Sequence, residues 1–321
     1  MARFAFSYQG PLLALFCHDS PILLSRGMSG SLLRDPFLKL GRAKVHMEGL
    51  YDLIHRWLQD DPCKVEPQLN PQTGEVIVYA EPTREPPVEE WSVIIGDIIH
   101  NLRSALDQLV WALTVAYQST PPLNPIPKRG PGSDWRIIGF PICIKPHPLD
   151  GSGNVISWHV AKDLKSLWGV RPSLRAEFQG LQPFNHGQNA AKKPLAVLNE
   201  LWNIDKHRHL PLAVGYFGLN DVAYMFPKPT IPEFEFSIFQ KRNPGPFKGR
   251  TEIGRAKPTV MRGSTIYEVY VKPLPSFDIA FEQGPPAYGG RVLETLSDIH
   301  EEVLNILNLF DVLTGAPVPH S

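Results

Sequence analysis

Residues 87–117 read PVEEWSVIIGDIIHNLRSALDQLVWALTVAY, and the spacing of their apolar positions decides the fold. At about 100° per residue, Ile95, Ile98, Ile99, Leu102, Leu106, Leu109 and Leu113 fall within roughly 100° of arc, the apolar stripe of a core-facing helix. Proline at the start suits a first helical turn, where its missing N–H is no loss. Two polar stripes lie outside the apolar one. Asp97, Asn101, Ser104 and Gln108 form the first; His100, Arg103 and Asp107 form the second, at the margin of the apolar face. A helix of this kind cannot bury its stripe alone and requires partners.

Three further helices supply them. Asp35 is a good N-cap and Pro36 fits the first helical position, after which Leu40, Ala43, Met47, Leu50, Ile54 and Trp57 repeat at spacings of three and four to about Gln59. A third helix is predicted over 194–210 and a fourth over 290–313, the last with Leu293, Leu296, Ile299, Val303, Ile306, Phe310 and Leu313 as its stripe. Between the first two helices, 64–69 and 75–81 flank Asn70-Pro-Gln-Thr-Gly74 and read as a hairpin with Val76, Val78 and Ala80 on one face. Between the last two, the chain is strand-rich over 211–283, with strands expected at 213–218, 222–226, 233–239, 259–261, 265–271 and 277–282. Shorter features are a strand at 140–144, a turn at 151–153 and helical fragments at 161–168 and 172–179. The expected fold is therefore α+β, a four-helix bundle core with β-rich insertions: the hairpin after the first helix and an antiparallel sheet between the third and fourth. Residues 1–27 are expected to be a poorly ordered extension, 28–314 a single domain and 315–321 a tail. A separate β domain over the strand-rich region is the alternative organisation.

Composition narrows the function classes. The 321 residues are 43% hydrophobic and 20% charged, ordinary for a folded protein, and 32 basic residues balance 32 acidic ones. No global field draws the chain to nucleic acid or an anionic membrane, so such binding would need a local patch. The 33 prolines cluster in connecting stretches and imply long ordered loops. Cys17, Cys63 and Cys143 are odd in number, widely spaced and without a Cys-x-x-Cys pair, which argues against a disulfide framework and a thiolate zinc site and points to buried, inert thiols in a reducing compartment. The apolar run at 11–17 is too short to span a bilayer and lacks the basic start and cleavage site of a signal peptide. These readings place the protein in the cytoplasm, without a membrane partner.

The third helix carries the most informative residue. Leu195, Val197, Leu198, Leu201, Trp202 and Ile204 define its apolar arc, and Asp205 falls inside that arc. A carboxylate on a core face calls for a cation; Arg103 is the first candidate and Arg208 the second. One reading is a buried Arg103–Asp205 pair that registers two helices, with Asn101, His100, Asp107 and His207 around it. The other is an anion-binding or acid–base cluster in which Arg103 holds a phosphate and His100 or His207, with Asp107, moves a proton. Metal and cofactor sites are not expected. The eleven histidines are scattered, and there is no His-Glu-x-x-His, phosphate loop or Gly-x-Ser-x-Gly elbow. Lys241, Arg242, Lys248 and Arg250 read as a solvated basic loop, with RNA contact the lesser alternative.

The block HNLRSALDQL at 100–109, taken with LWNIDKHR at 201–208, resembles the HNLRSALDxL and NxDKHR blocks of a family of uncharacterised bacterial proteins. The likeness extends from about Leu33 to Leu313, and it implies no activity. More distantly, an arginine separated by four residues from a histidine is similar to the motif of the HEPN superfamily, many of whose members are metal-independent RNases of toxin, phage-defence or RNA-processing systems, often active as dimers. Arg103 stands at the arginine position, but Gln108 stands at the histidine position and cannot move a proton; His100 or His207 would have to take its place. The leading expectation is thus a non-catalytic binding or interaction protein. The second is a divergent HEPN-like RNase or defence component, for which RNA would be the partner and a homodimer the implied state. The RNase reading requires a histidine near Arg103 under an open cleft, whereas a closed cluster favours binding.

Overall fold

The computed structural model describes residues 32–118 (apart from 71, 73 and 74), 138–145, 166–167, 169–207, 210, 212–225, 234–240, 245–246, 249–260, 270–282 and 285–315. The expected extension at 1–27, the turn at 151–153, most of the fragment at 161–168 and the tail beyond Gly315 lie outside them. The fold is α+β. What the sequence treats as one domain over 28–314 divides into two compact units, each assembled from separated segments.

The strand-rich unit contains Leu50–Trp91 and Pro211–Leu293. The hairpin is present: β1 (Cys63–Leu69) runs antiparallel to β2 (Val76–Pro82), with Cys63 opposite Pro82 and Leu69 opposite Val76. Val76, Val78 and Ala80 are buried, as their shared face demands. With β3 (Leu212–Met225), β4 (Phe234–Gln240), β5 (Gly245–Pro246), β6 (Thr251–Val260) and β7 (Tyr270–Phe281), the strands form sheets of order β1-β2-β6-β4 and β5-β3-β7. The two strands expected at 213–218 and 222–226 are one. Register shifts between Tyr216 and Gly218 and between Leu219 and Asp221 carry β3 past its glycine and Asn-Asp positions while it stays paired to β7. β6 begins eight residues earlier than expected, because Gly254, Arg255, Lys257 and Pro258 hide its alternation. Arg255 in this strand pairs with Glu252 at 2.7 Å, and Arg250 of the expected basic loop lies over the Tyr79 ring. Asp278, a buried carboxylate on β7, takes the N–H of Ile279 and faces Arg291 at 3.8 Å.

The first helix, α1 (Arg34–Gln59), ends in this unit. Its last turn exposes carbonyls that no helical N–H reaches. Arg84 donates to one of them, Trp57 O, at 2.8 Å and to Asp60 Oδ2 at 3.0 Å, the C-terminal placement that a basic side chain favours.

The helical unit contains the start of α1, residues 92–210 and residues 294–315. α2 (Val88–Gln118) buries all seven of its predicted stripe residues. α3 (Pro172–Gly180), a 3-10 run (Pro183–Lys192), α4 (Pro194–Asp205) and α5 (Val292–Gly315) complete it. Phe140, Phe178 and Phe310 form a buried aromatic chain, with ring centroids 5.4 and 4.6 Å apart. Two expectations are corrected here. Helix α4 stops at Asp205, not 210: Lys206 N–H and His207 N–H bond back to Trp202 O and Ile204 O, closing a final turn. Residues 140–144 are not a strand. Side chains take several of their backbone groups, as with Cys143 N–H on Gln182 Oε1 at 2.9 Å, and the Cys143 carbonyl accepts the N–H of Phe184 at 3.1 Å, outside any strand. No helix among the described residues is long and apolar enough to cross a membrane.

Candidate functional site

Arg103 and Asp107 are i, i+4 neighbours on α2 and pair at 3.0 Å. Arg103 Nη2 also donates to Phe140 O at 2.7 Å, and Phe140 N–H donates to Asp107 Oδ1 at 2.8 Å. Gly139 permits the approach, since a Cβ there would sit 3.0 Å from the same carboxylate oxygen. The Arg103 side chain is only 11% exposed and lies against the Trp202 ring, 5.2 Å from its centroid. Burial lowers the guanidinium pKa, and Asp107 pulls it back up. Burial likewise raises the Asp107 carboxyl pKa, against the pull of Arg103, the Phe140 N–H and Lys206. The arrangement is a clamp on one segment of backbone, in which Phe140 O and Asp107 Oδ1 occupy Nη2 while Nε and Nη1 are buried with no hydrogen-bond partner among the described residues.

The expected Arg103–Asp205 pair is therefore not formed: among the described residues Arg103 pairs with Asp107. The cause is axial offset. The Asp205 carboxylate packs onto Gly96, where an added Cβ would meet its Oδ1 at 2.5 Å, and Gly96 precedes Arg103 by two turns, roughly 10 Å along the helix. Asn101 does not join an anion site either, because its Nδ2 donates to Asp97 O at 2.8 Å on its own helix. Arg208 lies outside the described residues. Gln108 holds a buried Oε1 with no hydrogen-bond partner among them.

The remaining expected residues meet elsewhere. An open cleft of about 700 Å³ is lined by Ser92, Val93, Gly96, Asp97, His100, Asp205 and His207. Val93, Asp97 and His100 follow one another at i, i+4 and i+7 on a single flank of α2, while Asp205 and His207 come from the end of α4 and the turn after it. Ser92 Oγ donates to Leu210 O at 3.2 Å and ties the chain beyond that turn back to α2. His100 is exposed and lies 3.4 Å from Ser104 Oγ. Thus the fold brings His100, His207 and Asp205 together and keeps Arg103 and Asp107 in the clamp.

Ser92, Gly96 and Asp97 were not foreseen as site residues. Gly96 offered the one available signal, because glycine inside a strongly helical pattern costs about 1 kcal/mol and often marks close packing. Two imidazoles and two carboxylates can exchange hydrogen bonds and protons or hold a cation. No three His, Cys, Asp or Glu side chains converge to hold a metal among the described residues. In comparisons with known proteins, the chain matches no protein-family model, no curated protein and no solved structure.

Proposed function

We propose that this is a cytoplasmic bacterial binding protein without catalytic activity, and that its ligand enters the cleft between the α2 flank and the end of α4. One observation carries the reading: Arg103, the residue that a phosphate-cleaving site would need, is clamped at 11% exposure on Phe140 O and Asp107. The groups able to move a proton line the cleft, apart from that clamp. Ligand binding should shift the ring resonances of His100 and His207 in NMR spectra. A labelled single-stranded RNA should survive incubation with the protein.

A second reading keeps the HEPN-like likeness, as an RNase or a toxin or defence component acting as a homodimer. Its support is that His100 and His207 line the same cleft. One could take the proton of a ribose 2′-hydroxyl while the other protonates the leaving 5′-oxygen. RNA cleavage by the wild type that disappears in the His100→Ala/His207→Ala double variant would put this reading first.

A further inference from the structure

We infer that the cleft takes an organic cation, an ammonium or guanidinium group on a short apolar body, an inference that rests on the cleft being the binding site proposed above. The formal charges among its described lining residues are carboxylates, Asp97 on α2 and Asp205 at the last position of α4. A helix C-terminus presents the negative end of its dipole, and α4 has no basic residue in its last turn to offset it. An acidic residue at that end adds to the negative potential instead of relieving it.

Of the cations nearby in sequence, Lys206 and Arg103 are engaged elsewhere, and Arg208 lies outside the described residues. Lys206 lies over the Trp202 ring, and Arg103 grips Phe140. Asp205 already interacts within the fold, so the available charge is that of Asp97. Asn101 donates to the backbone carbonyl of Asp97, and among the described residues no side chain takes its exposed carboxylate, which lines the cleft. His100 and His207 add ring nitrogens that can accept N–H donors, and Val93, 61% exposed, offers an apolar contact. A volume of about 700 Å³ suits a small organic molecule better than a bare ion.

Isothermal titration of the full chain with agmatine and spermidine, and with uridine monophosphate as the anionic probe, tests this. The amines should bind the wild type, and Asp97→Asn should weaken them at least tenfold while circular dichroism shows the variant folded. Added salt should weaken the wild-type binding as well. Amine binding unchanged in Asp97→Asn overturns the inference. If the nucleotide alone binds and shifts the His100 and His207 ring resonances, the cleft stands as a binding site and the cation assignment falls. If no probe binds or shifts those resonances, the cation assignment and the cleft reading fall together.

Discussion

Arg103 and Asp107, one turn apart on α2, grip the two backbone polar groups of a single residue: the arginine takes the carbonyl of Phe140 and the aspartate takes its N–H. The segment at 138–145 is thereby fastened to the helix without any sheet pairing, and Phe140 is delivered into the aromatic chain with Phe178.

Arg103→Ala should lower stability by about 1–3 kcal/mol, less than a fully buried pair would lose, because Asp107 is 34% exposed and water can reach it. The melting temperature should fall by several degrees. Replacing both members, as Arg103→Met with Asp107→Leu, should not restore it, since the Phe140 N–H and carbonyl would then lack partners. Urea denaturation of both variants checks this, and a double variant as stable as the wild type would refute the clamp.

His300 on α5 should make stability fall with acid. Burial drives its pKa down to about 4, aided by Lys44 and opposed by a hydrogen bond to the Leu40 carbonyl. An unfolded chain takes up this proton near pH 6.5, so between 6.5 and 4 the unfolded state carries more protons and is favoured as pH drops. The contribution is full above pH 6.5, and a loss on the order of 3 kcal/mol is complete near pH 4. Denaturation across that range should show a shallower slope for His300→Gln than for the wild type; equal slopes would exclude the effect.

Glycine-to-alanine changes should act with opposite signs at different sites. Gly41 and Gly49, inside α1, would place a Cβ in open space, and each change should gain about 0.5–1 kcal/mol. At Gly169 the new Cβ would lie 2.2 Å from Cγ2 of Thr114, a buried and stiff side chain, and the change should cost about 1–3 kcal/mol. Thermal melts of the three variants decide the matter.

Cys63 should resist alkylation in the folded protein. Burial pushes its thiol up to about 12, so almost no reactive thiolate exists at pH 8. Mass spectrometry after iodoacetamide treatment should find Cys63 unmodified in buffer and modified in urea.

Regular elements were legible where one face is buried over several turns. The stripes of α1 and α2, that of α5 up to Phe310 and the alternation of β2 follow from burial alone, because a single period fixes each side chain; Leu313, expected in the α5 stripe, is exposed near the end of the helix, where the stripe runs out. β6 was hidden because glycine, proline and charged residues interrupt the alternation of a strand that is paired on both sides. The site was half legible. Asp205 was marked by its place in an apolar arc, but its neighbour depended on how far along α2 the end of α4 lands, which no intrahelical period encodes. Arg103 had an acceptor four residues away on its own helix, and that local partner prevailed over the distant one.

Gly96 and Asp205 share one small volume, so neither position can drift alone. A chain with any side chain at 96 would have to withdraw or replace the carboxylate at 205, and one with a longer acid at 205 would have to lift α4 away from α2. Among descendants of this sequence the two positions should therefore change together, and a glycine retained at 96 would mark the chains that kept the acidic wall of the cleft.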